Sequence, residues 1–104
     1  MSTVRLTMAQ ALVAHLAALR IEHDDGHVEP YCAGVWAIFG HGNVAGLGEA
    51  LVHVRDQLPT YRAHNEQAMA HAAIAFAKAN FRQRIMAVTT SIGPGATNLL
   101  TAAA

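Results

Sequence analysis

Cysteine is nearly absent: Cys32 is the only one in 104 residues. No internal disulfide can form, and a reducing cytoplasm is the expected compartment. Charge is also scarce, at 13% of residues, with seven acidic side chains balancing seven basic ones. A neutral chain without a basic cluster lacks the electrostatic footprint of a nucleic-acid-binding protein. No apolar run approaches the roughly 18 residues that would suggest a membrane span. Residues 1–7 lack the basic-then-apolar layout of a signal peptide. A stop signal is missing at the other end. Leu99-Leu100-Thr101-Ala102-Ala103-Ala104 ends inside a helical pattern with no Gly, Asn or Pro. The expectation is a single domain over residues 1–104, incomplete at its C-terminus.

Apolar residues are abundant, at 53%, which exceeds an average soluble domain. Alanine accounts for most of the excess. A surface covered by a further part of the protein helps explain it.

Thr7 and Gln10 have capping-box spacing, and Met8, Leu12, Leu16 and Leu19 follow at helical intervals. This predicts an amphipathic packing helix. Residues 22–30 then read as a polar loop. His23, Asp24, Asp25, His27 and Glu29 can be drawn there as a metal cluster. Their spacing matches no zinc or calcium motif, so a solvated loop is the expectation.

Gly34-Val35-Trp36-Ala37-Ile38-Phe39 predicts a strand buried on both faces. A glycine-rich turn, Gly40-His41-Gly42-Asn43, and a helix carrying Val44, Leu47 and Leu51 follow it. Leu58 to Tyr61 reads as a second short strand running into an alanine-rich helix. Asn65 can cap that helix, which places Glu66 in its first turn. Ile85 to Thr90 reads as a third strand, leading into the loop Ser91-Ile92-Gly93-Pro94-Gly95-Ala96-Thr97-Asn98 and a last helix. Three strand–loop–helix units imply a parallel sheet with right-handed crossovers. Their loops then share one sheet edge, where ligands of open α/β sheets bind.

Two site readings follow from these residues. Gly40-x-Gly42-x-x-x-Gly46 resembles a dinucleotide loop, with Arg62 near the place of a 2′-phosphate contact. That reading, an NADP-binding oxidoreductase domain, leaves Asn65-Glu66-Gln67 and Gly93-Pro94-Gly95 unexplained. Alternatively, Glu66 does chemistry at the mouth of its helix. A lone Glu there ordinarily complements the helix dipole. Met69, Ala72, Ala73 and Phe76 make the face behind this one apolar, so burial is expected to raise its pKa while the helix N-terminus lowers it. His64 and His71 read as surface or packing residues. A non-enzymatic α/β interaction module is a third possibility.

Asn65-Glu66-Gln67 with its alanine-rich helix, the Gly40 loop and Thr90-Ser91-Ile92-Gly93-Pro94-Gly95-Ala96-Thr97-Asn98 together resemble one known family. It is the N-terminal pyrimidine-binding domain of thiamine-diphosphate enzymes of the acetolactate synthase type. The resemblance runs from Thr7 onward and implies a three-layer α/β domain with a parallel sheet. Residues 5–12 and 36–48 look like the branch that cleaves a carbon–carbon bond of a cyclic trihydroxy-dione in inositol catabolism. Much of the family has His before the glutamate; Asn65 stands there here, which fits that branch.

By this resemblance Glu66 is the glutamate that hydrogen-bonds N1′ of the aminopyrimidine and so promotes loss of the thiazolium C2 proton. Gly42, Asn43 and Ser91 match positions facing the cofactor. His41 and Asn65 match positions near the substrate, a small cyclic dione. The family's Mg2+ and diphosphate are held by a C-terminal domain, and no metal ligand is expected in this chain. The resemblance also implies a homodimer or higher homo-oligomer, with no nucleic-acid or membrane partner.

Overall fold

The computed structural model describes residues 2–104. Thr7 opens the first helix, α1 (Met8–Ala18). Its hydroxyl accepts from the Gln10 N–H at 3.1 Å, and the Gln10 side chain accepts from the Thr7 N–H at 2.9 Å. This is the capping box that the spacing predicts. The inward face is rotated from the predicted stripe. Val13 is buried with Ala9, Leu16 and Ala17 beside it, whereas Met8 and Leu12 are exposed. Small side chains set this rotation, because they let the helix come close. A methyl on Gly46 would stand 3.7 Å from Ala9 Cβ.

The polar stretch expected as a loop is a hairpin. β1 (Arg20–Glu22) and β2 (Val28–Pro30) pair antiparallel, with Ile21 opposite Glu29. Gly26 turns the chain at φ 88°, and Asp25 Oδ1 accepts from the His27 N–H at 2.8 Å. An Asp-Gly pair is turn chemistry, but strands of three residues are too short to show a period. Arg84 ties the hairpin to the body of the domain. Its Nε donates to Pro30 O at 3.0 Å and lies 3.3 Å from Glu29 Oε1.

The sheet is built around β3 (Cys32–Ala37), which begins two residues earlier than the apolar run predicts and ends before Ile38. β4 (Thr60–Tyr61) and β5 (Ile85–Thr89) flank it, and both run parallel to it. Gly34 allows β4 to approach. A methyl there would meet Tyr61 Cε2 at 2.7 Å and Pro59 O at 2.9 Å. Tyr61 in turn lies 5.5 Å, ring to ring, from Trp36.

From β3 the chain enters α2 (Gly40–Asn43), a π-helical turn at Val44–Gly48 and then α3 (Glu49–His53). Leu47 and Leu51 face inward as predicted, but Val44 is exposed. α4 (Glu66–Ala79) precedes β5, and α5 (Pro94–Ala103) follows it. The three layers divide the core. Val13 of α1 and Ala50 and Leu51 of α3 bury Val35, Ala37 and Leu58 on one side. α4 packs on β5 and β3, with α5 beside it and Met69, Ala70 and Ala73 buried.

No helix among the described residues is long and apolar enough to cross a membrane. Leu58 is fully buried, and Phe81 is 84% exposed. Urea denaturation should therefore separate them. Leu58→Ala is expected to cost about 2–5 kcal/mol through the cavity it leaves. Phe81→Ala should stay within about 0.5 kcal/mol.

Candidate functional site

Parallel strands deliver their chain exits to one edge, and two of the three exits are bonded together there. Asn43 Nδ2 donates to Thr90 O at 2.9 Å. Gly40 has φ 66°, and a methyl on it would stand 2.6 Å from Ser91 Cβ. Only glycine satisfies both the left-handed backbone and the close approach. His41, Gly42, Asn43 and Ser91 consequently line a common depression.

The third exit carries the carboxylate. Asn65 caps α4, its Oδ1 accepting from the Ala68 N–H at 2.9 Å. Glu66 is the first residue of the helix and reaches a second depression, of about 620 Å³. Ser91, Gly95 and Asn98 line it as well, so Ser91 belongs to both depressions.

Asn98 Nδ2 donates to Glu66 Oε1 at 3.0 Å, and Gln67 Nε2 donates to Asn98 Oδ1 at 2.6 Å. The Asn98 bond is the main cause holding the Glu66 carboxyl below its ordinary value. A bond from its own backbone N–H adds to this, and desolvation opposes it weakly. Of the expected balance between burial and the helix N-terminus, the lowering side prevails. Met69 and Ala73 turn inward while Glu66, at the helix end, remains half-exposed.

Gly95 forms a cradle against this carboxylate. A methyl there would meet Ser91 Oγ at 2.6 Å, Thr90 Oγ1 at 2.8 Å and Glu66 Oε2 at 3.4 Å. Thr90 Oγ1 is buried and has no hydrogen-bond partner among the described residues. Such a group ordinarily has one.

Asn98, Thr90 and Gly95 are the residues whose roles sequence reasoning missed. Residues 91–98 read as a loop, yet α5 already starts at Pro94. The signal was present, since Pro at the first helical position is a start marker. Gly93, at φ 66°, turns the chain into that helix. Asn98 therefore sits a little over one turn into α5, where it meets Glu66.

The remaining candidates lie further out. His41 also borders a groove with Tyr61 and Arg62. Asn65 lines neither depression, and its side chain serves the cap. His64 and His71 are exposed. In the hairpin, ligand atoms of His23, His27 and Glu29 lie within 4.8 Å of one another, without Asp24 or Asp25. Glu29 there is already met by His23 Nε2 at 2.7 Å and by Arg84. A guanidinium on the same carboxylate opposes a second cation, so the cluster reads as a latch.

Comparison with known proteins bears on the site as a whole. Residues 32–104 match the family described as thiamine pyrophosphate enzyme, N-terminal TPP binding domain. The chain is 54% identical over 101 residues, or 97% of its length, to 3D-(3,5/4)-trihydroxycyclohexane-1,2-dione hydrolase of Shouchella clausii. It is 54% identical over its full length to the enzyme of that name from Geobacillus thermodenitrificans. The Listeria monocytogenes protein of that name is 54% identical over 101 residues. The chain spans 16% of the length of each of these relatives. No solved structure gives a significant match.

The dinucleotide reading of the Gly40 loop is overturned by the family match. Gly46 of that loop faces Ala9 of α1. With the Glu66 depression and its glycine cradle inside the matched residues, the chain belongs to the thiamine pyrophosphate enzymes, as an N-terminal TPP binding domain.

Proposed function

We propose that this chain is the N-terminal, pyrimidine-binding part of a thiamine-diphosphate-dependent hydrolase. The whole enzyme cleaves a carbon–carbon bond of a cyclic trihydroxy-dione in inositol catabolism. The substrate follows from the names of relatives at 54% identity. The observation that carries the role of this domain is the set of groups around Gly95. A carboxylate, an unpartnered buried hydroxyl on Thr90 and a backbone position with no side chain adjoin one another there. An aminopyrimidine offers ring nitrogens and an amino group, and such a donor set suits it.

When bound, thiamine diphosphate supplies the electron sink for cleavage beside a carbonyl. The chain's own task is to position the ring and control one proton. Glu66 holds that proton against N1′ of the pyrimidine. Oε2 is the oxygen that Asn98 leaves for this, because Oε1 already accepts from Asn98. Gly42, Asn43 and Ser91 line the cofactor side of the joined loops, and His41 and Asn65 lie towards the substrate. Mg2+ and the diphosphate belong to a C-terminal domain outside this chain. In a homodimer or higher homo-oligomer, Glu66 serves a cofactor anchored on another subunit, in the cytoplasm.

In the complete enzyme, Glu66→Gln should slow hydrogen–deuterium exchange at the cofactor's C2 by about 10²–10⁴-fold, the scale of general acid–base catalysis. An unchanged rate rejects the role. Gly95→Ala is expected to weaken thiamine diphosphate binding by about tenfold or more, as one methyl overpacks the cradle. Titration calorimetry on the complete enzyme reads this, and wild-type affinity would show the cradle to be empty of cofactor.

A further inference from the structure

Glu66, Asn98 and Gln67 form a three-membered chain joining the first turn of α4 to the second turn of α5. The chain has a direction. An ionised carboxylate only accepts hydrogen bonds, so Asn98 must present its NH₂ to Glu66 Oε1. Asn98 Oδ1 is then left towards Gln67, which must present its own NH₂, at 2.6 Å. Reversing either amide would set two acceptors or two donors face to face. The charge on Glu66 thus orients all three side chains.

The threonine hydroxyls of α5 do not compete for the carboxylate. Thr97 Oγ1 donates to Pro94 O at 3.1 Å, and Thr101 Oγ1 donates to Thr97 O at 3.1 Å. Both are bonded to their own helix. Among the described residues, Glu66 is the only titratable group lining its depression. His64 and His71, on the α4 segment, are exposed and line none of it.

We propose that Asn98 is a positioning residue for Glu66, held in place by Gln67, and that it makes Oε2 the oxygen carrying the proton shared with the cofactor's pyrimidine. A proton on Oε1 would collide with the Asn98 N–H. Oε2 lies on the Gly95 side, 3.4 Å from where a methyl on that residue would stand, and makes no bond to Asn98. The two carboxylate oxygens thereby have separate duties, one structural and one chemical. The inference rests on the reading of Glu66 given above and adds the group that orients it.

The consequence for pH has a definite sign. The contact favours the ionised form, so the folded value lies below the ordinary 4.5. Stability from the contact is then present above the ordinary carboxyl range and is lost as pH falls through the lowered value.

The test uses the full-length protein with Asn98→Leu, which keeps the volume and removes the donor. Asn98→Ala serves as a second variant should the first misfold. Infrared titration of the cofactor-free protein, with the Glu66→Gln spectrum subtracted, reads the Glu66 carboxyl directly. Loss of Asn98 should move its midpoint upward. The stability difference from wild type should be larger at neutral pH than below the lowered midpoint. In the loaded enzyme, C2 exchange should slow about tenfold, the scale of one hydrogen bond to a charged group. Gln67→Leu should shift both readings in the same direction by less. An unmoved midpoint and exchange rate in the Asn98 variants, with Glu66→Gln still slow, overturn the proposal alone. An unaffected Glu66→Gln enzyme overturns the reading of Glu66 and the proposal with it.

Discussion

The placement of β3 between two parallel neighbours is the constraint on which the rest of the domain depends. A parallel neighbour on each side requires a crossover for each pairing, so helices must cover both faces. It also requires all three strands to end at one edge. The site exists because of that second requirement. One neighbour is minimal: β4 pairs through Thr60 and Tyr61 only. It is held by what β3 omits at Gly34, by the Val35 N–H donating to Pro59 O at 2.9 Å, and by the Trp36–Tyr61 ring contact. The other neighbour, β5, carries a register irregularity between Cys32 and Val35 but stays aligned from Val35 to Ala37. Alignment is therefore best at the end that leads into the site.

Much of this arrangement was legible in the residues. The three strand–loop–helix units, the Thr7 and Asn65 caps and the position of Glu66 each follow from local chemistry. Caps depend on one side chain and its next three neighbours, so sequence contains the whole interaction. Strand order does not have that property, because three parallel strands of similar composition pair in several ways. The hairpin was hidden by its brevity. The inward face of α1 was hidden by alanine, which carries too little apolar contrast to mark a stripe. The start of α5 is present as Gly93-Pro94, but a Gly-Pro-Gly run signals a turn as readily as a helix start. That ambiguity removed Asn98 from view, and with it the polar surroundings of Glu66.

Those surroundings change the physical account of the carboxylate. A desolvated glutamate is tuned by what is withheld from it. Glu66 is instead tuned by what is supplied: an amide from a neighbouring helix and its own backbone N–H. Tuning by donors is directional, so it selects one oxygen as well as one charge state. The family match begins at Cys32, the first residue of β3. α1 and the hairpin precede it and support the sheet from outside, α1 through Val13 and the hairpin through Arg84.

Trp36 is the only tryptophan in the chain. Its indole N–H points to the sulfur of Met86 at 3.2 Å, and its ring leans on Tyr61 across β4. Tyrosine transfers excitation to a nearby indole, and a thioether in contact alters indole emission. The protein thus carries an optical reporter where its two edge strands meet the central one. Detachment of either strand changes the emitted light in a different way, so the order in which the edges of this sheet assemble is written into its own fluorescence.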